Sequence, residues 1–510
     1  MELSAIKADV TEVETAALVV NLYQGVQRPS GATGAVDAAL GGQISELIAD
    51  GEITGRPGEI TIVHTRGRLP ARRVVVVGLG RKADCVLETL RKSTGSVTQR
   101  LLRHRITRFH TVLHGGGDLD ATGVSTKDLA QAIAESALMA GYRYDRYKTV
   151  EPEEEPGEPR DREKEALQSI TIVEADGRKL AAIRSGLDRG GKMADAVNWT
   201  RDIGNGPPNE IYPASLAESA RRLAEEHKFE FEVLTRRDLE KKRMGGILGV
   251  GQGSAHEPRL MVLRYRGGKR NAPPSVVVGK AITFDTGGIS IKPAASMEEM
   301  KFDKMGGVAV LGIMRAVALL KLRINLVGII PSAENMPGSN SYRPGDILTS
   351  YSGKTIEIIN TDAEGRLILA DALTYACELD PKEVIDLATL TGACVVALGH
   401  YASGAFGDER IVQRLKEVGE ATGDRAWPLP LYDEYGDDMK SEVADIKNSG
   451  GRWGGASTAA AFLKFFVKPG IAWAHLDIAG NAWTTKTQPY HPVGATGAGV
   501  RLVTEYLARG

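Results

Sequence analysis

The chain has 510 residues, 42% of them apolar, with 64 basic side chains against 65 acidic ones and a net charge of −1. That length exceeds what a single core serves, so two domains are expected, and the even balance excludes a global field favouring a polyanion or an anionic membrane. Cys85, Cys377 and Cys394 are odd in number and lack C-x-x-C spacing, which argues against a disulfide framework or a cysteine-built zinc site and fits a reducing cytoplasm.

The opening stretch "MELSAIKADVTEVETAALVV" carries acids where a signal peptide needs basic residues followed by a long apolar run, and no segment reaches about 18 consecutive apolar residues. A soluble, cytoplasmic chain without membrane attachment is expected. Strand patterns follow at 16–23 ("AALVVNLY"), 59–65, 72–80 ("RRVVVVGLG"), 108–114 and 170–175, interleaved with helical patterns at 85–102 and 126–142. Residues 151–165, "EPEEEPGEPRDREKE", have no apolar stripe to bury and read as an exposed loop. The stretch 179–203 predicts a long helix joining two halves, despite Gly190 and Gly191.

Beyond residue 204 the alternation resumes, with strands at 259–265, 275–284, 324–332, 354–360, 383–392 and 471–480 and helices at 306–322 and 366–379. Strands so uniformly apolar are buried on both faces, as in a largely parallel sheet covered by helices. The expected fold class is therefore α/β in two domains. A smaller N-terminal α/β domain with a mixed sheet spans 1–178, a connecting helix 179–203, and a larger α/β/α domain with a mostly parallel sheet 204–510.

Two apparent motifs are set aside. Gly78, Gly80 and Ala83 have dinucleotide-loop spacing, but no Asp or Glu occurs from 89 to 117 to take the ribose, so a tight strand-to-helix turn is expected. "HEPRL" at His256 lacks the second histidine of a zincin motif and reads as a surface loop.

The chemistry concentrates elsewhere. In "VVVGKAITFDTGGISIKP" (276–293), Lys280 ends an apolar strand, Asp285 ends the next apolar run, and Lys292 follows after a glycine turn. Asp303 stands before a Gly-rich helix start in "MEEMKFDKMGG", and "NTDAEGRLILADAL" (360–373) places Asp362, Glu364 and Arg366 at the mouth of another helix. Taken singly, the acids could cap helices and Lys280 could be a snorkelling strand-end residue. Their joint occurrence at the ends of successive apolar strands points to one pocket at the sheet edge. Four carboxylates there need counter-charge, which two divalent cations would supply. Lys280, in apolar surroundings, suits ligation as a neutral amine, and Lys292 suits polarising a carbonyl while protonated. Oxygen-rich ligation with one amine suits Zn, Mn or Mg.

"NTDAEGRL", with "VGKAITFDTGGISIKP" and "MKFDKMGG", resembles the leucyl (cytosol) aminopeptidase family of two-metal exopeptidases, and the likeness extends through most of 200–510. The resemblance implies one metal on Lys280, Asp285, Asp303 and Glu364 and another on Asp285, Asp362, Glu364 and the Asp362 carbonyl. It also implies catalytic positions for Lys292 and Arg366. In the family the arginine, with an anion site here including Leu390, holds a bicarbonate acting as general base, and a metal-bridging hydroxide attacks. The side-chain pocket would be lined by Met300, Thr389, Gly392 and Ala479, with a contribution near Gly480. It would suit Leu and other apolar residues. Lys304 and Met305 depart from the family pattern and bear on the pocket's charge. Zinc or manganese, peptide substrates and a homohexamer are further implications.

Two other readings compete. Some members of the family bind DNA, and "RRVVVVGLGRK" with "QRLLRHRITRFH" (99–110) supplies a local basic cluster, opposed by the acidic run 151–158. Two-metal sites also serve phosphoester hydrolysis, a reading that the aminopeptidase signature disfavours.

Overall fold

Four consecutive valines, Val74–Val77, are all buried, which requires an extended strand covered on both faces. The computed structural model, which describes residues 1–115, 123–149 and 166–510, achieves this by alternation. Val74 and Val76 enter the core cluster containing Val36 and Ile44 of helices Gly31–Ala39 and Gln43–Ala49. Val75 and Val77 enter the opposite cluster, with Val97, Leu101 and Ala137 of helices Leu87–Arg103 and Thr126–Ala140. Their strand is β4 (Arg73–Gly78) in a six-stranded sheet ordered β1 (Glu2–Lys7), β6 (Ser169–Glu174), β5 (Arg108–Val112), β2 (Leu18–Leu22), β4, β3 (Ile60–His64). Only the β3–β4 pair is antiparallel, so the sheet is mixed.

This sheet belongs to the first of two units, Met1–Asp195 with Lys486–Pro492; the second is Ala196–Thr485 with Val493–Gly510. Within the first unit the late segment is pinned by Tyr490, whose hydroxyl donates to Glu88 Oε1 at 2.8 Å, and by Gln99, which donates to the Gln488 carbonyl at 2.9 Å. Helix Leu180–Asn205 runs without a break through Gly190 and Gly191. The glycines after β4 are demanded by the chain itself: a Cβ on Gly78 would lie 2.0 Å from the Arg56 carbonyl oxygen, and one on Gly80 (φ +76°) would lie 2.8 Å from the Pro57 ring. The turn's near side is thus filled by protein. Of the basic cluster, Arg100 and Arg103 occupy the last turn of their helix, where the dipole favours cations. The loop expected at 151–165 lies outside the described residues.

The second unit is built on a nine-stranded sheet. Its path is β16 (Ala426–Pro428), β15 (Ser403–Gly407), β18 (Trp473–Asp477), β14 (Glu383–Ala388), β9 (Ser275–Gly279), β11 (Asn325–Asn335), β8 (Arg259–Arg266), β7 (Glu230–Leu234), with β10 (Ala281–Asp285) paired on β11 beside β9. The central pairs are parallel; β7–β8, β8–β11 and β15–β18 are antiparallel. Val276, Val278 and Ile329 share a cluster with Leu367 and Leu373 of helix Gly365–Cys377. On the other face Gly328, paired with Val277, leaves room for Val310 of helix Met305–Leu319.

The pattern read as one strand over 275–284 is two, β9 and β10, meeting at Lys280. The stretch 383–392 is strand only to Ala388, because Thr389–Thr391 turn away and helix Gly392–Leu398 begins. The pattern at 354–360 is strand only over Thr355–Glu357.

Candidate active site

The carboxyl ends of the parallel strands assemble the site, as expected for an open α/β sheet. Lys280 follows β9, Asp285 ends β10, Thr389 follows β14, and Asp477 ends β18. Asp303 comes from the 3-10 turn Met297–Lys304, and Glu364 stands immediately before helix Gly365–Cys377. These segments bound a cavity of about 370 Å³ lined by Lys280, Asp285, Lys292, Met300, Asp303, Asp362, Glu364, Arg366, Thr389, Leu390, Gly392 and Ala479. Apart from Gly480, every residue assigned from sequence to the metal, catalytic, anion or side-chain positions is among them.

Ligand atoms of Asp285, Asp303 and Glu364 all lie within 4.8 Å of one another. Lys280 Nζ sits 2.9 Å from Asp303 Oδ1 and 2.8 Å from Glu364 Oε1, and donates to the Thr389 carbonyl at 2.8 Å. Lys292 Nζ is 2.9 Å from Asp285 Oδ2 and also contacts Asp362 Oδ1. Two ammonium groups and the Arg366 guanidinium thus face four carboxylates.

The electrostatics show how strained that balance is. Burial, reinforced by Glu364, pushes the Asp285 carboxyl up to about 6. Burial likewise raises Asp303 well above the carboxylate range and raises Asp362. For Glu364 burial acts upward too, but Lys280 and Lys292 outweigh it and hold the group below its ordinary value. Burial opposes the charge on Lys280 and Lys292, yet the surrounding acids raise both. Burial takes Arg366 down to about 10 against the opposing pull of Glu364, Asp477 and Asp362.

Divalent cations fit this donor set. Asp303 Oδ2 and Glu364 Oε2 are buried without a hydrogen-bond partner, although buried carboxylate oxygens are normally satisfied. Hard oxygen donors beside one amine suit Mn, Mg or Zn.

The supporting residues carry no local signature. Asn335, at the end of β11, donates to Asp285 Oδ1 at 2.8 Å and to the Thr361 carbonyl at 3.0 Å. The Tyr342 hydroxyl donates to the same carbonyl at 2.7 Å. Asn448 accepts Arg366 Nη1 on its carbonyl oxygen at 2.8 Å and donates from its side chain to Asn360 at 2.7 Å. Trp483 lines the cavity and stacks on Phe302, with ring centroids 5.6 Å apart. Only a strand-end Asn or an aromatic directly before a ligand, as Phe302 stands before Asp303, hinted at these roles.

Lys304 and Met305 do not line the cavity. Lys304 is fully buried, donates to the Gly206 carbonyl at 3.2 Å, and is pushed down to about 7 by burial and then by Lys301. Met305 Sδ packs where a Cβ on Gly204 would stand. Gly480 lies against the Gly399 carbonyl, and His256 stacks on Tyr212 at 4.2 Å.

Comparison with known proteins bears on the whole chain. Residues 198–504 match the model of the cytosol aminopeptidase family's catalytic domain, and residues 19–151 match that of its N-terminal domain. A protein named "Probable cytosol aminopeptidase" from Geobacter sp. (strain M21) is 48% identical over 93% of both chains. One of the same name from Geobacter sulfurreducens is 45% identical over 99% of both. Among solved structures, a mutant of tomato leucine aminopeptidase superposes with a TM-score of 0.87 at 29% identity, covering 100% of this chain and 97% of that one. The bottromycin maturation enzyme BotP in complex with Mn gives 0.83 at 30% identity, covering 97% and 99%.

Proposed function

The chain belongs to the cytosol aminopeptidase family, and from that premise we propose that it is a two-metal exopeptidase releasing N-terminal residues, preferentially Leu and other apolar ones, from peptides. The observation that carries this reading is the buried cluster of Asp285, Asp303 and Glu364, with two unpartnered carboxylate oxygens, in the lining of the cavity. In this reading residues 1–178 form an N-terminal domain, 179–203 a connecting helix and 204–510 the catalytic part. A cytoplasmic homohexamer is the assembly in which the enzyme would work.

Lys280, Asp285, Asp303, Asp362 and Glu364 would hold the two cations, zinc or manganese, with Lys280 ligating as the neutral amine once cations take over the charge balance. When bound, such ions supply Lewis acidity toward the scissile carbonyl and an activated water.

The chain's own groups do the rest. Lys292, more exposed than Lys280, turns its ammonium toward the acids and supports negative charge developing on the carbonyl oxygen. Arg366 is held by the Asn448 carbonyl through one nitrogen while its buried Nε has no hydrogen-bond partner, so it can retain an anion such as bicarbonate, with Leu390 beside it, as the proton acceptor. Met300, Thr389, Gly392 and Ala479 wall the slot for the first side chain. A Cβ on Gly392 would meet nothing within 4 Å, so the slot has room for a branched aliphatic chain. The substrate's free α-amine would add a further ligand to a bound cation, which would restrict cleavage to the first residue.

The test is to strip the protein with a chelator, restore Zn, Mn, Co or Mg separately, and assay leucine p-nitroanilide beside its N-acetylated form. Metal-restored cleavage of the free amine alone is expected. Equal cleavage of both substrates would reject the amine-anchored mechanism, and cleavage of neither under any metal would reject the enzyme assignment.

A further inference from the structure

Asp477 ends β18, fully buried. Its neighbour across the sheet is Ala388, the last residue of β14, so two segments leave the sheet side by side: Thr389–Thr391 and Ile478–Ala479. Both segments contribute to the cavity wall, through Thr389, Leu390 and Thr391 from one and Ala479 from the other. The Asp477 carboxylate joins them. Oδ1 accepts the Leu390 N–H at 3.1 Å and the Ala479 N–H at 3.1 Å, so one oxygen bridges both segments. Oδ2 accepts the Thr391 hydroxyl at 2.7 Å. The Thr391 oxygen in turn accepts the Cys394 N–H at 3.0 Å, fixing the start of helix Gly392–Leu398.

The loop is held at its other end by a different grip. Thr389 donates to Asp303 Oδ1 at 2.7 Å and takes the Lys280 ammonium on its carbonyl. Thr389 therefore ties the loop to the carboxylate cluster, while Asp477 ties the rest of it to Ala479. The first grip concerns the reacting end of a substrate, and the second concerns the spacing between Thr389, Gly392 and Ala479. Asp477 is not among the residues lining the cavity, so its effect is indirect.

We propose that Asp477 is a positioning residue that clasps the two adjoining loops walling the side-chain slot and so sets the slot's width, and with it the preference for a leucyl over an alanyl first residue. The inference rests on the aminopeptidase reading above. A long side chain reaches the clasped wall and a methyl group does not, so loosening the clasp weakens the binding of leucyl substrates selectively.

The experiment compares wild type, Asp477→Asn, Thr391→Val and Thr391→Ser on leucine and alanine p-nitroanilide. Asp477→Asn keeps the shape but loses one acceptor, and Thr391→Val is near-isosteric and removes only the hydroxyl. In both, KM for the leucyl substrate is expected to rise about 10-fold, the scale of a one-methylene misfit, with kcat and the alanyl KM changing much less. Thr391→Ser, which keeps the hydroxyl, is expected to restore the ratio. Amide hydrogen exchange at Leu390 and Ala479 should quicken in Asp477→Asn while metal content per subunit is retained. A leucyl-to-alanyl ratio of kcat/KM unchanged in both variants, or an equal fall in kcat on both substrates, would overturn the clasp. Wild type that cleaves neither substrate would instead reject the aminopeptidase reading, and this inference with it.

Discussion

Gly365 lies so close to Lys280 that a Cβ on the glycine would stand 2.5 Å from the lysine Nζ. The helix carrying Glu364 and Arg366 can approach the end of β9 only because its first residue has no side chain. Gly365→Ala must therefore displace the lysine, the Glu364 carboxylate, or both. The expected result is a folded protein whose metal content falls and whose kcat/KM drops about 100-fold, as for an ångström-scale misplacement of catalytic groups. Atomic emission and leucine p-nitroanilide kinetics check it; wild-type values for both would remove the steric account.

Lys292 faces Asp285 and Asp362 from a position more open than that of Lys280. If it supports charge that develops only in the reaction, Lys292→Gln should lower kcat by roughly 100- to 1,000-fold with KM little changed. A rise in KM alone would instead make it a substrate-binding group.

His114 offers a pH test remote from the cavity. It is buried, with Nδ1 3.2 Å from Asn21 Oδ1 and Nε2 3.0 Å from Thr111 Oγ1, a pattern that suits the neutral ring donating from Nδ1. Burial pushes it down to about 4 from 6.5. Between these values the unfolded chain binds a proton that the native one refuses. Stability is thus intact above about pH 6.5 and falls as pH drops toward 4, by roughly 3 kcal/mol in all. Amide exchange of β2 and β5, corrected for intrinsic rates, should show this slope in wild type and lose it in His114→Asn, which keeps a donor near Nδ1.

Asp371 is a structural counterpart on helix Gly365–Cys377. Fully buried, it accepts the Ile247 N–H at 2.9 Å and the Tyr351 N–H at 2.7 Å. Asp371→Ala leaves both donors unpaired and should cost about 2–4 kcal/mol, whereas Asp371→Asn, with one acceptor remaining, should cost about 1. Denaturant midpoints and the exchange rates of those two amides distinguish them.

How legible all this is from sequence varies with the range of the interactions. β4 and β9 announce themselves through unbroken apolar runs because both faces are covered. β1 does not: as an edge strand it buries only Ala5 of its six residues, so "ELSAIK" lacks the pattern. The metal and catalytic candidates stand out because charge placed beside glycine at the end of an apolar strand is locally anomalous. Asn335, Asn448 and Asp477 do not, since each works through a partner at least 26 positions away in the chain.

By itself, then, the sequence determined the strand and helix periods, the two-unit α/β plan and the set of acids, lysines and arginine gathered in one cavity. All of these follow from contacts between near neighbours and from the cost of burying uncompensated charge. The tertiary structure alone decided that β9 and β10 part at Lys280, that Lys486–Pro492 returns to the first unit, that Lys304 turns away from the cavity, and that Ala388 stands beside Asp477. Those outcomes depend on which distant strands pair and in what register, and no local pattern encodes the packing that makes one such choice better than another.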